Sequence, residues 1–505
     1  MTTPMLRTQV LVVGAGLTGA VLALELAHHD VPCLVVERAA APPRHPGTEL
    51  LTGPAMEPLR RLGLADLVRK YGSGPEEPAC VEWRTSLGGA PVLVSPRPAN
   101  EPDHRIGAAE LTRRLRDELR EHPLVELREG WTFTGLRIEP DGAVANLLDV
   151  RSGVRHAVAA RHLAGCDGGQ STVRRCVEVP MDGLGHPAPY CSVFFRSADP
   201  RLPARDQPRT TVVVGGVTCV SRAGDDSWVA RLPVGADEPV STDPVGLLRA
   251  RLAADLDVLE ILGVAQWDDA LAVATAYRRG PVFLAGEAAH RFHPAGELVD
   301  TSLADAVDLG WKLAAEINGW GGPALLASYE SERRPRALLD RELLARTLET
   351  RRRFGRLVAA GAAPELLAGL LRQEAYRADA GGLPARHATS AVVWHDGVPP
   401  ATAAVRPGGR APDVRLDGGG PLADRFGPEM TLVDLTGDAA GAALAAAAEG
   451  RGIPVRHLPV ADAAVRAGWD RSLALVRPDG HVAWCADAVP GDWDAVLDLI
   501  TGKTT

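Results

Sequence analysis

The chain has 505 residues, of which 46% are hydrophobic and 24% are charged, a composition typical of globular proteins with several domains. Its 55 Lys and Arg residues against 64 Asp and Glu residues leave a formal net charge of −9. The sequence contains no run of basic residues that could bind along a phosphate backbone, so we expect no nucleic acid partner. Disordered, collagen-like and coiled-coil proteins are excluded on the same grounds.

Cysteine usage and hydropathy predict a cytoplasmic protein without a membrane partner. The seven cysteines are scattered and form no C-x-x-C pair. The N-terminus lacks the pattern of a signal peptide, and the apolar stretch 10–27 is interrupted by three glycines and Glu25. That stretch is better interpreted as strand, turn and helix.

The first sixty residues predict a βαβ unit with a glycine-rich turn. A β-branched run at 9–13 is followed by Gly14, Gly16 and Gly19, then by good helix formers, and a second buried strand ends at Glu37. These glycines permit a tight turn, close approach of a pyrophosphate and close packing of helix on strand. Glu37 is placed to bind a ribose hydroxyl, which fits NAD and FAD equally.

The rest of the chain alternates between helical and strand-like patterns. Short strand-like runs between 190 and 233 indicate a separate sheet, and 245–262 is predicted as a helix. A long helix with one apolar face begins just after 300–302, and an arginine-rich helix follows from 324 to about 357. Gly and Pro make 378–412 a linker, and the last hundred residues alternate strands with alanine-rich helices.

Three motifs resemble those of the class A flavoprotein monooxygenase family, the FAD-dependent aromatic and polyketide hydroxylases. They are the segment 165–174 (GCDGGQSTVR), the segment 286–291 (GEAAHR) and the segment 305–313 (DAVDLGWKL). A fourth, 477–484 (RPDGHVAW), is similar to the signature of that family's thioredoxin-like tail. Cys485 is the only cysteine of this tail, so dithiol redox chemistry is excluded there.

The resemblance implies an α/β fold with three parts. These are a glutathione-reductase-type (Rossmann-like) FAD domain, a β-sheet substrate domain and a C-terminal thioredoxin-like domain. We predict the FAD domain at 1–75, 103–180 and 270–325, the substrate domain at 76–102 and 181–269, a helical connection at 326–377, the linker at 378–412 and the tail at 413–505.

The resemblance also implies FAD as cofactor and a set of residues that bind it. The diphosphate would lie on the glycine turn, the adenosine ribose on Glu37, and the ribityl chain near Gly286 and Glu287. The implied cofactor-binding residues are Gly14, Gly16, Leu17, Thr18, Gly19, Glu37, Arg38, Asp167, Gly168, Gly286, Glu287, Pro294, Gly296, Leu298 and Val299. NAD(P)H is implied only for a hydroxylase.

This sequence departs from the family on the isoalloxazine side. The family's glycine-rich flavin loop is here a shorter segment, 294–301 (PAGELVDT), in which Glu297 and Asp300 stand where glycine and asparagine are expected. Two arginine positions of the family are Gly47 and Pro54 here, and Gly107 replaces a glutamine. A Glu297 carboxylate about 5 Å from the flavin would disfavour anionic reduced flavin by roughly 3 kcal/mol at a dielectric constant near 20. The alternative is that the Glu297 side chain turns into solvent, where it has no such effect.

These changes favour the first of two enzyme classes over the second. In the first, FAD is structural and the protein is a 4+2 cyclase (a Diels–Alderase forming decalin-type rings), similar to the flavin-dependent cyclases of spirotetronate pathways. The alternative is an NAD(P)H- and O2-dependent hydroxylase in antibiotic biosynthesis. A binding protein without turnover is a third possibility. We expect a hydrophobic polyene or aromatic polyketide substrate and a monomer or homodimer.

Other patterns receive a structural interpretation. His290, His293 and Glu297 have crude metal-ligand spacing, but they fall inside the flavin motif, so we predict no metal. Asp305 and Asp308 are explained by helix-dipole stabilisation. Trp228, Trp267 and Trp311 could line a substrate pocket, although aromatic residues are more often core. The catalytic residues stay unknown.

Overall fold

In the computed structural model, the described residues are 5–42, 48–72, 80–96, 104–185, 187–202, 210–214, 217–221, 226–235, 238, 243–292, 298–381, 386–395, 403–438 and 440–503. None of the helices within these ranges is long and apolar enough to cross a membrane.

Helices and strands alternate through most of the chain. The helices are α1 Leu17–His28, α2 Gly53–Arg61, α3 Ala65–Tyr71, α4 Ala108–Glu121, α5 Thr172–Cys176, α6 Pro244–Leu252, α7 Leu298–Ile317, α8 Pro323–Ala359, α9 Pro364–Gly381, α10 Ala440–Gly450, α11 Ala463–Gly468 and α12 Trp493–Ile500. The strands are β1 Leu6–Val13, β2 Cys33–Glu37, β3 Thr48–Leu51, β4 Cys80–Arg84, β5 Pro91–Pro96, β6 His104–Gly107, β7 Val125–Glu129, β8 Trp131–Glu139, β9 Gly142–Asp149, β10 Arg155–Gly165, β11 Met181–Gly183, β12 Pro189–Arg196, β13 Thr210–Val214, β14 Val217–Ser221, β15 Ser227–Pro233, β16 Glu260–Asp268, β17 Ala272–Ala274, β18 Arg278–Arg279, β19 Val282–Leu284, β20 His290–Arg291, β21 Met430–Asp434, β22 Val455–Pro459, β23 Leu473–Val476 and β24 Val482–Ala486.

The first sheet is the Rossmann-like part of the molecule. Its strands follow the order β18-β19-β10-β1-β2-β7, with β8 and β9 attached beside β10. The strands β19, β10, β1, β2 and β7 pair in parallel. The second half of β1 is fully buried, as expected for a parallel strand that is covered on both faces. This confirms the predicted FAD-domain fold, with α1 packed against α7.

The second sheet has the order β16-β12-β15-β14-β13-β4-β5. It joins β4 and β5 to strands that lie more than a hundred residues later in the chain, which is the predicted sheet domain. The predicted helix at 245–262 is partly wrong. The helix α6 ends at Leu252, where Ala253 takes a left-handed conformation, and β16 then pairs antiparallel with β12.

The tail has a four-stranded sheet of order β22-β21-β23-β24, flanked by α10 and α12, and the predicted thioredoxin-like fold is confirmed. Its core is continuous with the end of α7, since Trp311 and Ala315 pack in the same cluster as Leu432 and Leu475. The predicted residue limits of the three parts stay a proposal.

Candidate cofactor and substrate site

The turn between β1 and α1 has the shape that its three glycines predict. Gly14 has φ +106°, and a Cβ there would lie 2.4 Å from the Cys166 carbonyl oxygen. A Cβ on Gly19 would lie 1.9 Å from the Gly14 carbonyl oxygen, so α1 packs directly on the turn. A Cβ on Gly16 would meet no atom within 4 Å, and Gly16 caps α1 without a side-chain hydrogen bond. The uncapped N–H groups and the open space fit a pyrophosphate.

Glu37 ends β2 beside this turn. Its Oε2 accepts a hydrogen bond from Ala15 N–H at 2.9 Å, and its Oε1 accepts one from Ala39 N–H at 2.9 Å. The carboxylate therefore holds the backbone on both sides, and each oxygen keeps a second lone pair that a ribose hydroxyl could use. Arg38, the next predicted contact, is exposed.

Arg116 is a site residue that the sequence interpretation missed. It lies buried on α4, and its guanidinium donates to the carbonyl oxygens of Ala15 and Ala39 at 3.3 and 3.2 Å. Its Nη2 is 3.4 Å from the Glu37 Oε2. An arginine beside the apolar stripe of Leu115 and Leu119 was the signal that could have identified it.

Asp167 and Gly168 follow β10 at the same edge of the sheet. Asp167 Oδ2 accepts hydrogen bonds from Thr172 N–H at 2.6 Å and Val173 N–H at 3.0 Å, so it fixes the start of α5. Asp167 Oδ1 is buried and has no hydrogen-bond partner among the described residues. A buried acceptor without a partner fits a site that is completed by a ligand donor. Gly168 has φ +80°, which favours glycine.

The Gly286–Ala288 turn meets the other two motifs. Gly286 has φ +61°, and a Cβ there would lie 2.3 Å from Thr18 Oγ1 at the start of α1. A Cβ on Gly168 would lie 3.9 Å from Glu287 Oε2, and Glu287 is exposed. The ends of β1, β2, β10 and β19 thus gather the predicted residues at one edge, where open α/β sheets bind ligands. We call residues 14–19, Glu37, 167–168 and 286–287 the cofactor cradle.

Asp305 holds the Gly286 turn from behind, which corrects its interpretation as a helix-dipole residue. It is fully buried in α7, accepts from Gly286 N–H at 3.1 Å and from Arg333 Nε at 2.8 Å, and lies 3.2 Å from His290 Nε2. Burial acts to raise the pKa of Asp305, but Arg333 and His290 outweigh it and lower the pKa. An ionised Asp305 therefore positions the turn.

The altered flavin loop includes Asp300 and the start of α7. Pro294, Gly296 and Glu297 lie outside the described residues, so the predicted effect of Glu297 stays a prediction. Leu298 and Val299 begin α7. Asp300, the second unexpected carboxylate, accepts hydrogen bonds from the hydroxyl and, at 3.5 Å, the N–H of Thr52.

One face of the second sheet lies toward α8 and α9. Trp83 on this face packs edge-on against Phe354 of α8, with ring centroids 5.1 Å apart. The residues paired in one row with Trp83 across the sheet are Val213, Thr218, Arg231, Ser192 and Ala265. The opposite face packs on α6.

This face combines apolar side chains with a few hydroxyl groups and Arg231. Phe194, Val220 and Val229 form a buried cluster on it. Trp267 stacks on Tyr190 with centroids 4.6 Å apart, and its Nε1 donates to Ser192 Oγ at 2.8 Å. Among the three tryptophans considered above, Trp267 therefore lies on this face. Trp228 packs on the α6 side, and Trp311 packs with the tail.

The tail is attached through buried ionisable groups, which we call the tail junction: Asp308, Lys312, Glu332, Arg477 and Asp479. Arg477 donates two hydrogen bonds of 2.8 Å to Glu332 and one of 3.2 Å to Asp308. Lys312 bridges Asp308 and Glu332 at 2.9 and 2.6 Å. Burial and the neighbouring carboxylates raise the pKa of Asp308 to about 8. The 477–484 motif therefore joins the tail to α7 and α8, and Asp308 is a junction residue rather than a helix-dipole residue.

Within the described residues, His387, Asp479 and His481 bring possible ligand atoms within 4.8 Å of one another. Arg477 hydrogen-bonds both Asp479 oxygens and is itself fully buried, so its positive charge opposes a second cation there. We assign no metal to this group.

Comparisons with known proteins agree with this geometry. A family model described as an FAD binding domain matches residues 7–340, and one described as the C-terminal domain of aromatic-ring hydroxylases matches 404–503. The chain belongs to the class A FAD monooxygenase family. More than half of its length is covered by the first match.

Individual relatives cover nearly the whole chain. Tetracenomycin A2 monooxygenase-dioxygenase of Streptomyces glaucescens is 30% identical over 98% of this chain and 97% of its own. Dialkyldecalin synthase of Streptomyces rugosporus is 29% identical over 94% and 96%. The structure of the rebeccamycin biosynthetic enzyme RebC with reduced flavin is 29% identical, with a TM-score of 0.84 over 99% and 100% of the two chains.

Proposed function

We propose that this protein is an FAD-binding tailoring enzyme of secondary metabolism in which the cofactor cradle holds FAD. The pyrophosphate lies on residues 14–19, the adenosine ribose on Glu37, and the ribityl chain near Gly286 and Glu287. The open space at Gly16 and the partnerless Asp167 Oδ1 support this placement. Pro294, Gly296, Leu298 and Val299 complete the flavin side.

For the reaction, we infer a 4+2 cyclisation in which FAD is structural. The observation that carries this inference is the contrast within one cofactor site. The adenosine side keeps the family's residues, whereas the isoalloxazine side carries changes at Gly47, Pro54, Gly107 and the 294–301 loop. A hydroxylase needs a stabilised reduced flavin, and the family's stabilising contacts are the ones changed here.

Ring closure requires no redox change of the flavin. A diene and an alkene of one linear polyene exchange three π bonds for one π bond and two C–C σ bonds, so the product is an isomer and no oxidant is consumed. The protein's task is to fold the chain and exclude water. The apolar sheet face with Phe194, Val220 and Val229 offers such a surface, and Ser192 and Thr218 can orient polar substituents.

The alternative is an NAD(P)H- and O2-dependent hydroxylase of an aromatic polyketide. Its support comes from relatives, since tetracenomycin A2 monooxygenase-dioxygenase is as similar to this chain as dialkyldecalin synthase is. When bound, FAD would supply the redox chemistry in this case. The same sheet face would place the aromatic ring.

Product mass separates the two functions. The FAD-loaded protein is incubated in air with a linear polyene that carries a diene and an alkene, with and without NADPH. A cyclic isomer formed without NADPH supports the cyclase, and a product heavier by one oxygen that requires NADPH overturns it. Val229→Phe, which crowds the sheet face, should slow turnover about tenfold, whereas exposed Val150→Phe should not.

A further inference from the structure

A second cavity begins at Pro54 and Asp300, on the predicted flavin side of the cofactor site, and extends away from the glycine turn toward the tail. It has a volume of about 680 Å³ and lies between α2, α7, α8 and two loops of the tail. His28 lines it at the end of α1, whereas Gly16 and the cradle lie at the beginning of that helix, about 18 Å away for twelve residues. The volume falls in the range of small-molecule sites.

One wall of this cavity is apolar. It is formed by Leu303 and Val307 of α7, Leu339 and Leu343 of α8, and Phe426 of the tail. Leu339 remains 40% exposed although it lies within a long helix. Exposed leucine beside other apolar side chains gives a ligand's hydrocarbon body a surface to cover.

The charged groups of the lining are paired, with one exception. Arg60 pairs with Asp424, Arg410 with Glu57 and Arg336 with Asp340. The other charged groups of the lining pair with residues outside it. Asp308 and Asp479 pair with Arg477, Arg333 pairs with Asp305, and Arg61 pairs with Glu25. Asp300 is held by Thr52.

Arg456 on β22 is the exception. It is exposed at the cavity and makes no hydrogen bond or ion pair with any described residue. Asp300 is hydrogen-bonded to the Thr52 hydroxyl and the other carboxylates of the lining have cationic partners, so Arg456 is the cation of this lining that has no ionic partner among the described residues. A ligand with one negative charge and an apolar body would complement both the arginine and the leucine wall.

We propose that this cavity binds an amphipathic organic anion, whose hydrocarbon or aromatic body covers Leu339, Leu343 and Phe426 and whose anionic head pairs with Arg456. The head is a carboxylate, sulfonate or phosphate, since each accepts hydrogen bonds from a guanidinium. The proposal holds for either of the two reactions considered above.

The test uses 8-anilinonaphthalene-1-sulfonate as probe, because it combines an aromatic body with one sulfonate. Its fluorescence is titrated with the FAD-loaded full chain, alongside the uncharged N-phenyl-1-naphthylamine. We expect one saturable sulfonate site that Arg456→Gln weakens about fivefold or more, with little effect on the uncharged probe. Substitution of Arg353, another exposed arginine, in α8 (Arg353→Gln) should leave both titrations unchanged.

A second variant tests the cavity itself. Ala304→Phe places a ring in the lining and should abolish the site, and Leu339→Trp serves the same purpose if Ala304→Phe fails to bind FAD normally. The proposal is overturned if the wild type shows no saturable site, if Arg456→Gln and Arg353→Gln behave alike, or if a filled cavity still binds the sulfonate with wild-type affinity.

Discussion

The cofactor cradle and the tail junction show two different uses of buried polar groups. Among the described residues, the cradle leaves space beside Gly16, N–H groups of α1 without a side-chain cap, and an Asp167 oxygen without a hydrogen-bond partner. At the tail junction, Arg477 and Lys312 hydrogen-bond the surrounding carboxylates. A ligand site is thus marked by unused donors and room, and a structural contact by mutual satisfaction.

The largest effect should come from breaking the tail junction. Arg477→Met removes the buried cation that hydrogen-bonds Asp308, Glu332 and Asp479, which should lower the free energy of unfolding by about 3–5 kcal/mol. Urea denaturation measures it. Arg356→Met, which breaks an exposed pair with Glu349, should cost about 0–1 kcal/mol. Equal losses in the two variants would contradict the structural role of the junction.

A substitution in the cofactor cradle should have the opposite effect: it should weaken FAD binding and leave the stability of the fold unchanged. Gly16→Ala meets no protein atom, yet its methyl group occupies the space assigned to the pyrophosphate. We expect the FAD dissociation constant to rise about 100-fold, or about 2.7 kcal/mol, with an unchanged melting temperature of the apoprotein. Gly369→Ala in α9, also in open space, is the control. If Gly16→Ala kept the wild-type FAD affinity, the pyrophosphate would not bind at this turn and the proposed placement would be wrong.

A smaller effect is expected at Glu37, where a substitution can distinguish binding of the ribose from a purely structural role. Glu37→Gln keeps the shape but removes the charge that accepts from Ala15 and Ala39 and, as proposed, from the ribose. The FAD dissociation constant should rise about tenfold, or about 1.4 kcal/mol. Calorimetry measures the FAD dissociation constant, and Glu126→Gln, at an exposed position of β7, is the control. A loss of stability without a loss of affinity would reduce Glu37 to a purely structural brace.

The smallest effect concerns pH at the junction. The pKa of Asp308 is raised in the fold, so its contribution to stability is complete below the unfolded value near 4 and is lost as the pH rises through about 8. Stability should fall by about 1 kcal/mol between pH 7 and pH 9 through this group. Asp308→Asn, which cannot ionise, should flatten the profile of melting temperature against pH. A profile that is equally steep in both proteins would refute the assignment.

The sequence predicted the cradle because its glycines answer local steric demands. The close approaches at Gly14 and Gly19 involve the turn itself and one neighbouring strand, so the motif carries its own explanation. The α/β order followed from hydrophobic runs such as β1 and β2, whose burial on both faces leaves a clear pattern.

Long-range partners could not be predicted in this way. Arg477 and Asp308 are 169 residues apart, and Arg333 and Asp305 meet only when α8 folds back on α7. Their spacing along the chain carries no sign of these pairs. The end of α6 was missed because 253–262 is apolar enough for a helix, and pairing with β12 decides its strand conformation.

The most direct test of the central claim is an anaerobic absorption titration of the purified, FAD-loaded protein with NADH and NADPH, with and without a polyene or aromatic polyketide. The claim is that the cradle holds FAD without a redox cycle. It predicts about one FAD per chain and a flavin spectrum that stays oxidised throughout. Rapid bleaching by NADPH, followed by reoxidation in air with oxygen transferred to the product, would contradict it and establish the hydroxylase.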